Sequence, residues 1–217
     1  MSDFNSLRTM MVDTQIRPSD VTKYPIIEAM LTIPRENFVP DALRGAAYAG
    51  APIELAENRV MFEPRTLAKT LEVLDIRSGD AVLVLGAGLG YSAAVIAHFA
   101  EYVVALEEDE ALAGEAEKNL SEQGADNVAV LTGALTEGDA RHGPYDAIIV
   151  EGAVQDVPAR LTDQLKDGGR IAVIFAQGDM GALRIGHRIG NRIDWRLAFN
   201  AAAPVLPGFQ KKAEFVF

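Results

Sequence analysis

Hydrophobic positions follow two different spacings along this chain. Up to about residue 78 they recur at helical intervals. Pro25 opens a segment with Ile26, Ile27, Met30 and Leu31 on one stripe, and from Pro64 onward Leu67, Leu71 and Leu74 repeat in the same way. Pro34 and Pro40 punctuate the chain between them, and Ser78-Gly79-Asp80 closes the second helix as a turn. After that point short unbroken apolar runs alternate with helical patterns. Residues 81–85, 102–106, 128–131, 145–150 and 170–175 read as strands, the apolar runs being those expected of a parallel sheet buried on both faces. Between them fall a helix over 91–100 and a helix from near Asp109, which sets Leu112, Ala116 and Leu120 on one side before Gly124. A short helix at Pro158, Leu161 and Leu165 is stopped by Gly168-Gly169, and strand-like pieces follow around 183–187, 193–199 and 213–217.

Strands alternating with helices predict an α/β fold: a doubly wound, mostly parallel, Rossmann-like sheet with antiparallel strands added at one edge. A helical N-terminal extension, residues 1–78, precedes the core, residues 79–217. In such a sheet ligands bind beyond the carboxyl ends of the strands. The loops after Leu85, Leu106, Leu131 and Val150 are therefore where chemistry is expected.

Composition narrows the function classes. The 31 acidic residues against 20 basic ones give a formal charge of −11, which opposes a nucleic-acid backbone or an anionic membrane as partner. Most of the excess lies within residues 81–150. Without cysteine there is neither a disulfide framework nor a thiol nucleophile. The three histidines, His98, His142 and His187, show no ligand spacing, so no metal site is expected. Residues 81–100 carry no formal charge and are long enough to span a bilayer, but their glycines suit a strand, a turn and a buried helix better. No signal peptide is visible, and a cytoplasmic protein is the expectation.

Gly86-Ala87-Gly88-Leu89-Gly90 follows the first buried strand and opens a helix. Small residues there let the backbone approach a ligand and present its N–H groups. Glu107 ends the next strand, followed by Glu108, and a carboxylate at that point can accept hydrogen bonds from both hydroxyls of a ribose. The nicotinamide fingerprint G-x-G-x-x-G needs glycine where this chain has Tyr91. The observed G-x-G-x-G favours S-adenosylmethionine; the other reading of the glycines is a tight strand-to-helix turn.

Several collinear motifs then resemble one family. Ile33-Pro34-Arg35-Glu36-Asn37-Phe38-Val39-Pro40, Ala47-Tyr48 with Pro52-Ile53, and the stretch from Val82 through Gly90 to Val95 are similar to the protein-L-isoaspartate O-methyltransferases. Asn127-Val128, Tyr145-Asp146-Ala147-Ile148-Ile149-Val150 and Gly168-Gly169-Arg170 continue the match in order. The resemblance implies a class I methyltransferase fold, S-adenosylmethionine as donor, and methyl transfer to the abnormal carboxylate of isoaspartyl residues in damaged proteins or peptides. It implies cofactor contacts from Gly86, Ala87, Gly88, Gly90, Glu107 and Glu108.

Three departures fall on functional positions. In the run Arg59-Val60-Met61-Phe62-Glu63-Pro64, Phe62 stands where the family has a serine. Val84 replaces an acid on the cofactor strand. Gly133-Ala134-Leu135 replaces a Gly-Asp-Gly whose aspartate faces adenine, leaving the backbone of Ala134 and Leu135 to address the base. These changes leave open a small-molecule acceptor, or a cofactor-binding protein without repair activity. Arg59 and Arg65 are candidates to hold an acceptor carboxylate, with Met61 and Glu63 beside them, since a guanidinium matches that group; two surface arginines would look the same. Phe62 either walls the acceptor site or is an ordinary core aromatic. Glu151, after the fourth core strand, is expected either near the sulfonium or as a solvated loop carboxylate.

Overall fold

The computed structural model describes residues 3–178 and 180–211. In chain order, α1 (Phe4–Met11), α2 (Tyr24–Thr32), β1 (Ile53–Ala56), β2 (Arg59–Met61) and α3 (Pro64–Leu74) precede the core. The core then runs β3 (Ala81–Leu85), α4 (Tyr91–Ala97), β4 (Tyr102–Glu107), α5 (Glu110–Glu122), β5 (Val128–Thr132), β6 (Tyr145–Val154), α6 (Ala159–Thr162), β7 (Leu165–Gln177), β8 (Met180–Ile189) and β9 (Arg192–Asn200).

Seven strands form the sheet in the order β5-β4-β3-β6-β7-β8-β9. The first four pairings are parallel, and β7–β8 and β8–β9 are antiparallel. The order reverses between β4 and β6, on either side of β3, and this switch point brings the ends of β3, β4 and β6 together. Residues of β3 alternate across the sheet. Val82 and Val84 join the core under α2 to α5, whereas Leu83 and Leu85 pack on the other face with Tyr145, Leu161, Leu165, Leu206 and Phe209.

The expected architecture is therefore present, with three differences. The second face of the sheet is covered by the single turn α6 and by loop residues such as Leu135, Leu206 and Phe209, rather than by long helices. Gly168-Gly169 does not stop a helix; it lies inside β7, which begins at Leu165. The β1–β2 hairpin was not expected, because strands of four and three residues are too short for a period-two pattern to stand out. The expected strand at 213–217 lies outside the described residues. Among the described residues no helix is long and apolar enough to cross a membrane.

Candidate active site

The loop between β3 and α4 takes its shape from three left-handed glycines, with φ of +79° at Gly86, +56° at Gly88 and +94° at Gly90. An L side chain is strained in that region, so the backbone path itself selects glycine. Gly86 N–H donates to the Leu106 carbonyl at 2.8 Å, which ties the loop to the end of β4. Asp109 caps α5 by accepting from the N–H groups of Ala111 and Leu112 at 2.8 and 3.0 Å. Ala87 is buried. The loop thus starts against the switch point on a fixed base.

Glu107 closes β4 and is fully buried. Its Oε2 accepts from Gly88 N–H at 2.7 Å, and its Oε1 accepts from the N–H groups of Glu108 and Asp109 at 2.8 and 3.1 Å. Both oxygens are also gripped by Arg59, whose Nη1 lies 2.5 Å from Oε1 and whose Nη2 lies 2.6 Å from Oε2. The Glu108 side chain is exposed.

This pairing changes one expectation. Arg59 does not stand free to hold an acceptor carboxylate; it is buried and engaged with a carboxylate of the protein itself. Its expected companion Arg65 is exposed on the first turn of α3, so the two arginines do not form one buried clamp. The hairpin turn at Asn58 sends β2 back across the site, and β2 packs against β6.

Glu151 lies within β6, not in a solvated loop, and is buried. Burial pushes its carboxyl up to about 7, against the opposing pull of Ser92 and of the Arg59 and Arg35 charges. Between pH 4.5 and 7 the folded state therefore holds a proton that the unfolded state has released, so this group's contribution to stability falls as pH rises through that window. Glu151→Gln is expected to remove that slope and to gain about 2–3 kcal/mol over the parent at pH 8. Urea denaturation from pH 5 to pH 8 measures it; parallel curves for the two proteins would contradict a buried, proton-holding Glu151.

Phe62 is buried, and its carbonyl accepts from Arg35 Nη2 at 2.6 Å. With Val60, Glu63, Thr66 and the Asn200–Pro204 segment it lines a cavity of about 470 Å³. Both alternatives for Phe62 thus hold together, as it is a core aromatic that also walls a cavity. Glu63 accepts from the Thr66 hydroxyl at 2.8 Å at the same place. Met61 is buried in the main core opposite Ile53. Beyond β5, Ala134 is exposed while the Leu135 side chain joins the core on the second face.

Three side chains at the loop carry buried polar atoms that the sequence did not single out for chemistry. Among the described residues Arg35 Nη1, Tyr91 Oη and Ser92 Oγ have no hydrogen-bond partner, and neither does Arg59 Nε. Ser92 faces Glu151 without a bond of good geometry. Buried donors without partners are uncommon and call for an explanation. A glycine cradle, a buried acid at the end of β4 and the spare Ser92 hydroxyl on the first turn of α4 fit a ligand with ribose hydroxyls and further polar groups. In the sequence Arg35, Tyr91 and Ser92 stood out only as members of the motifs that carry the family resemblance.

The fold and this site define a class I, S-adenosylmethionine-dependent methyltransferase. The comparison with known proteins narrows the class. A family model described as Protein-L-isoaspartate(D-aspartate) O-methyltransferase matches residues 7–190. A protein-L-isoaspartate O-methyltransferase of Syntrophus aciditrophicus is 38% identical over 173 residues, 80% of this chain and 79% of the relative. That of Methylorubrum extorquens is 37% identical over 195 residues, 87% of this chain and 83% of the relative. The chain belongs to the protein-L-isoaspartate O-methyltransferase family. Among solved structures, one provisionally given as such an enzyme, from Plasmodium falciparum and in complex with S-adenosyl-L-homocysteine, superposes with a TM-score of 0.81 at 18% identity. It covers 95% of this chain and 99% of that one, a likeness of fold.

Proposed function

We propose that this protein transfers a methyl group from S-adenosylmethionine to the side-chain carboxylate of an L-isoaspartyl residue in a protein or peptide. The observation that carries the reading is the left-handed glycine loop bonded to buried Glu107, in a chain of this family. Bound S-adenosylmethionine supplies an electrophilic methyl on a sulfonium. The backbone of Gly86, Ala87, Gly88 and Gly90 would cradle it, Glu107, steadied by the Glu108 amide, would hold the ribose, and the Ala134-Leu135 backbone would address the adenine. Residues 79–217 form this cofactor core, and residues 1–78 supply the acceptor side. We place the activity in the cytoplasm, without nucleic acid or membrane as partner.

An acceptor carboxylate has an ordinary pKa near ~4 and is ionised at neutral pH, so the protein needs no strong base. What its residues supply is alignment and exclusion of water. Phe62, with Met61 behind it and Glu63 at the rim, shapes the acceptor side. Glu151 sets the charge beside the loop.

The test is incubation of the pure protein with labelled S-adenosylmethionine and an isoaspartyl peptide beside its aspartyl isomer. Selective labelling of the isoaspartyl peptide is expected. Cofactor binding with no transfer to either peptide would overturn the acceptor and favour the second reading, a small-molecule acceptor or a binding protein, which Phe62 in place of the serine supports.

A further inference from the structure

Glu107 is the residue that the proposed function assigns to the ribose, and both its oxygens are taken by the protein's own Arg59. The Arg59 guanidinium presents two parallel N–H donors to Oε1 and Oε2, at 2.5 and 2.6 Å. A ribose diol would present two O–H donors to the same two oxygens. Arg59 therefore stands where the diol is expected, in the bidentate geometry that a planar fork gives to a carboxylate.

The same hairpin covers the glycine loop. Leu55 on β1 lies so close to Gly88 that a Cβ built on that glycine would meet its Cδ1 at 2.5 Å. Arg59 Nη2 lies 3.0 Å from the corresponding point on Gly86. One element thus covers both the glycine loop and the acid beyond it.

We infer that the β1–β2 hairpin is an internal occupant of the nucleoside site, with Arg59 holding Glu107 until a nucleoside ligand displaces it. This rests on the proposed function, since it takes Glu107 as the ribose acceptor. The hairpin is suited to the part. Its two strands have only four and three residues and form a sheet of their own, separate from the seven-stranded one. Displacing it breaks no hydrogen bond of the seven-stranded sheet, although the buried Ile53 and Met61 side chains keep it packed on the core until then. Glu151 lies beside Arg59, since the Arg59 Nη2 and the Glu151 backbone carbonyl both lie within 3.4 Å of the point where a Cβ on Gly86 would sit, and it offers Arg59 further acceptors. Its Nε, which has no partner among the described residues, gains one on moving.

The consequence is a lowered apparent affinity. When only a fraction of molecules is competent, the observed dissociation constant is the intrinsic one divided by that fraction. Removing the internal competitor raises the fraction, and Arg59→Met is expected to bind S-adenosyl-L-homocysteine at least about tenfold more tightly than the parent. Leu55 is only partly buried, so Leu55→Ala keeps the fold and shifts affinity in the same direction. In stopped-flow mixing the parent's observed binding rate levels off with ligand concentration, whereas that of Arg59→Met keeps rising.

Calorimetry with S-adenosyl-L-homocysteine on the parent and both variants separates the outcomes, with circular dichroism to show that each is folded. Equal or weaker binding by Arg59→Met overturns the hairpin's role while the cofactor assignment stands. If folded parent and variants all fail to bind, the cofactor assignment falls and the hairpin proposal falls with it. Should Arg59→Met not fold, unchanged affinity in Leu55→Ala together with a linear parent rate overturns the inference.

Discussion

Glu107→Ala is expected to abolish measurable binding of S-adenosylmethionine and to lower the free energy of unfolding by about 3–5 kcal/mol. The two effects have different origins. Binding is lost because the acid at the end of β4 is the only side-chain group assigned to the ribose. Stability is lost because the carboxylate sits at the centre of a buried network. Its removal leaves the Arg59 guanidinium without its counter-charge, and the N–H groups of Gly88, Glu108 and Asp109 without their acceptor. A buried charge stripped of its partner is among the costliest single changes, and 3–5 kcal/mol is a large share of the total stability of a typical domain, about 5–15 kcal/mol. Urea denaturation and calorimetry read the two effects separately. Glu107→Gln keeps an acceptor for part of the network, so it should lose less stability while still binding poorly. A fully stable Glu107→Ala protein would show that the Arg59 pair contributes nothing to the fold, and unchanged affinity would remove Glu107 from the cofactor site.

Arg35→Ala is expected to cost about 3 kcal/mol, from two stranded carbonyls and the space left behind. Arg35 is fully buried and burial pulls its guanidinium below its ordinary value, yet it forms no ion pair with any described residue. Its Nε donates to the Ala47 carbonyl at 2.8 Å, its Nη2 donates to the Phe62 carbonyl at 2.6 Å, and the group lies 4.8 Å from the centre of the Tyr91 ring. It therefore joins the segment after α2, the end of the hairpin and the start of α4. Phe62 loses its anchor when Arg35 is removed, so transfer to the acceptor should fall while cofactor affinity stays within error. Denaturation together with the labelled-peptide assay tests this. Loss of cofactor binding in a folded Arg35→Ala protein would show that the residue acts on the glycine loop instead.

Much of the fold was legible because its signals are local. Runs such as Ala81–Leu85 are apolar without a break because both faces of the strand are covered, and this is visible in five consecutive residues. Asp109 announced the start of α5 through its capping chemistry. Gly86, Gly88 and Gly90 marked a turn that only residues without a Cβ adopt easily. The hairpin failed to register because its strands are too short, and Gly168-Gly169 misled because a left-handed glycine serves a strand irregularity as well as a helix end.

From the sequence alone came the alternating core, the loop, and Glu107 at the end of its strand, all of which follow from periodicity and from residue types within a few positions of one another. The partners of the charged groups came only from the tertiary structure. Arg59 and Glu107 are 48 residues apart, and nothing local distinguishes an arginine on an acceptor from one folded onto the protein's own carboxylate. Glu151 reads as a loop acid until β6 is seen to extend past it and bury it. Burial and pairing are properties of the assembled chain, because the cost of removing a charge from water, and the group that offsets it, are set by whatever the fold brings alongside.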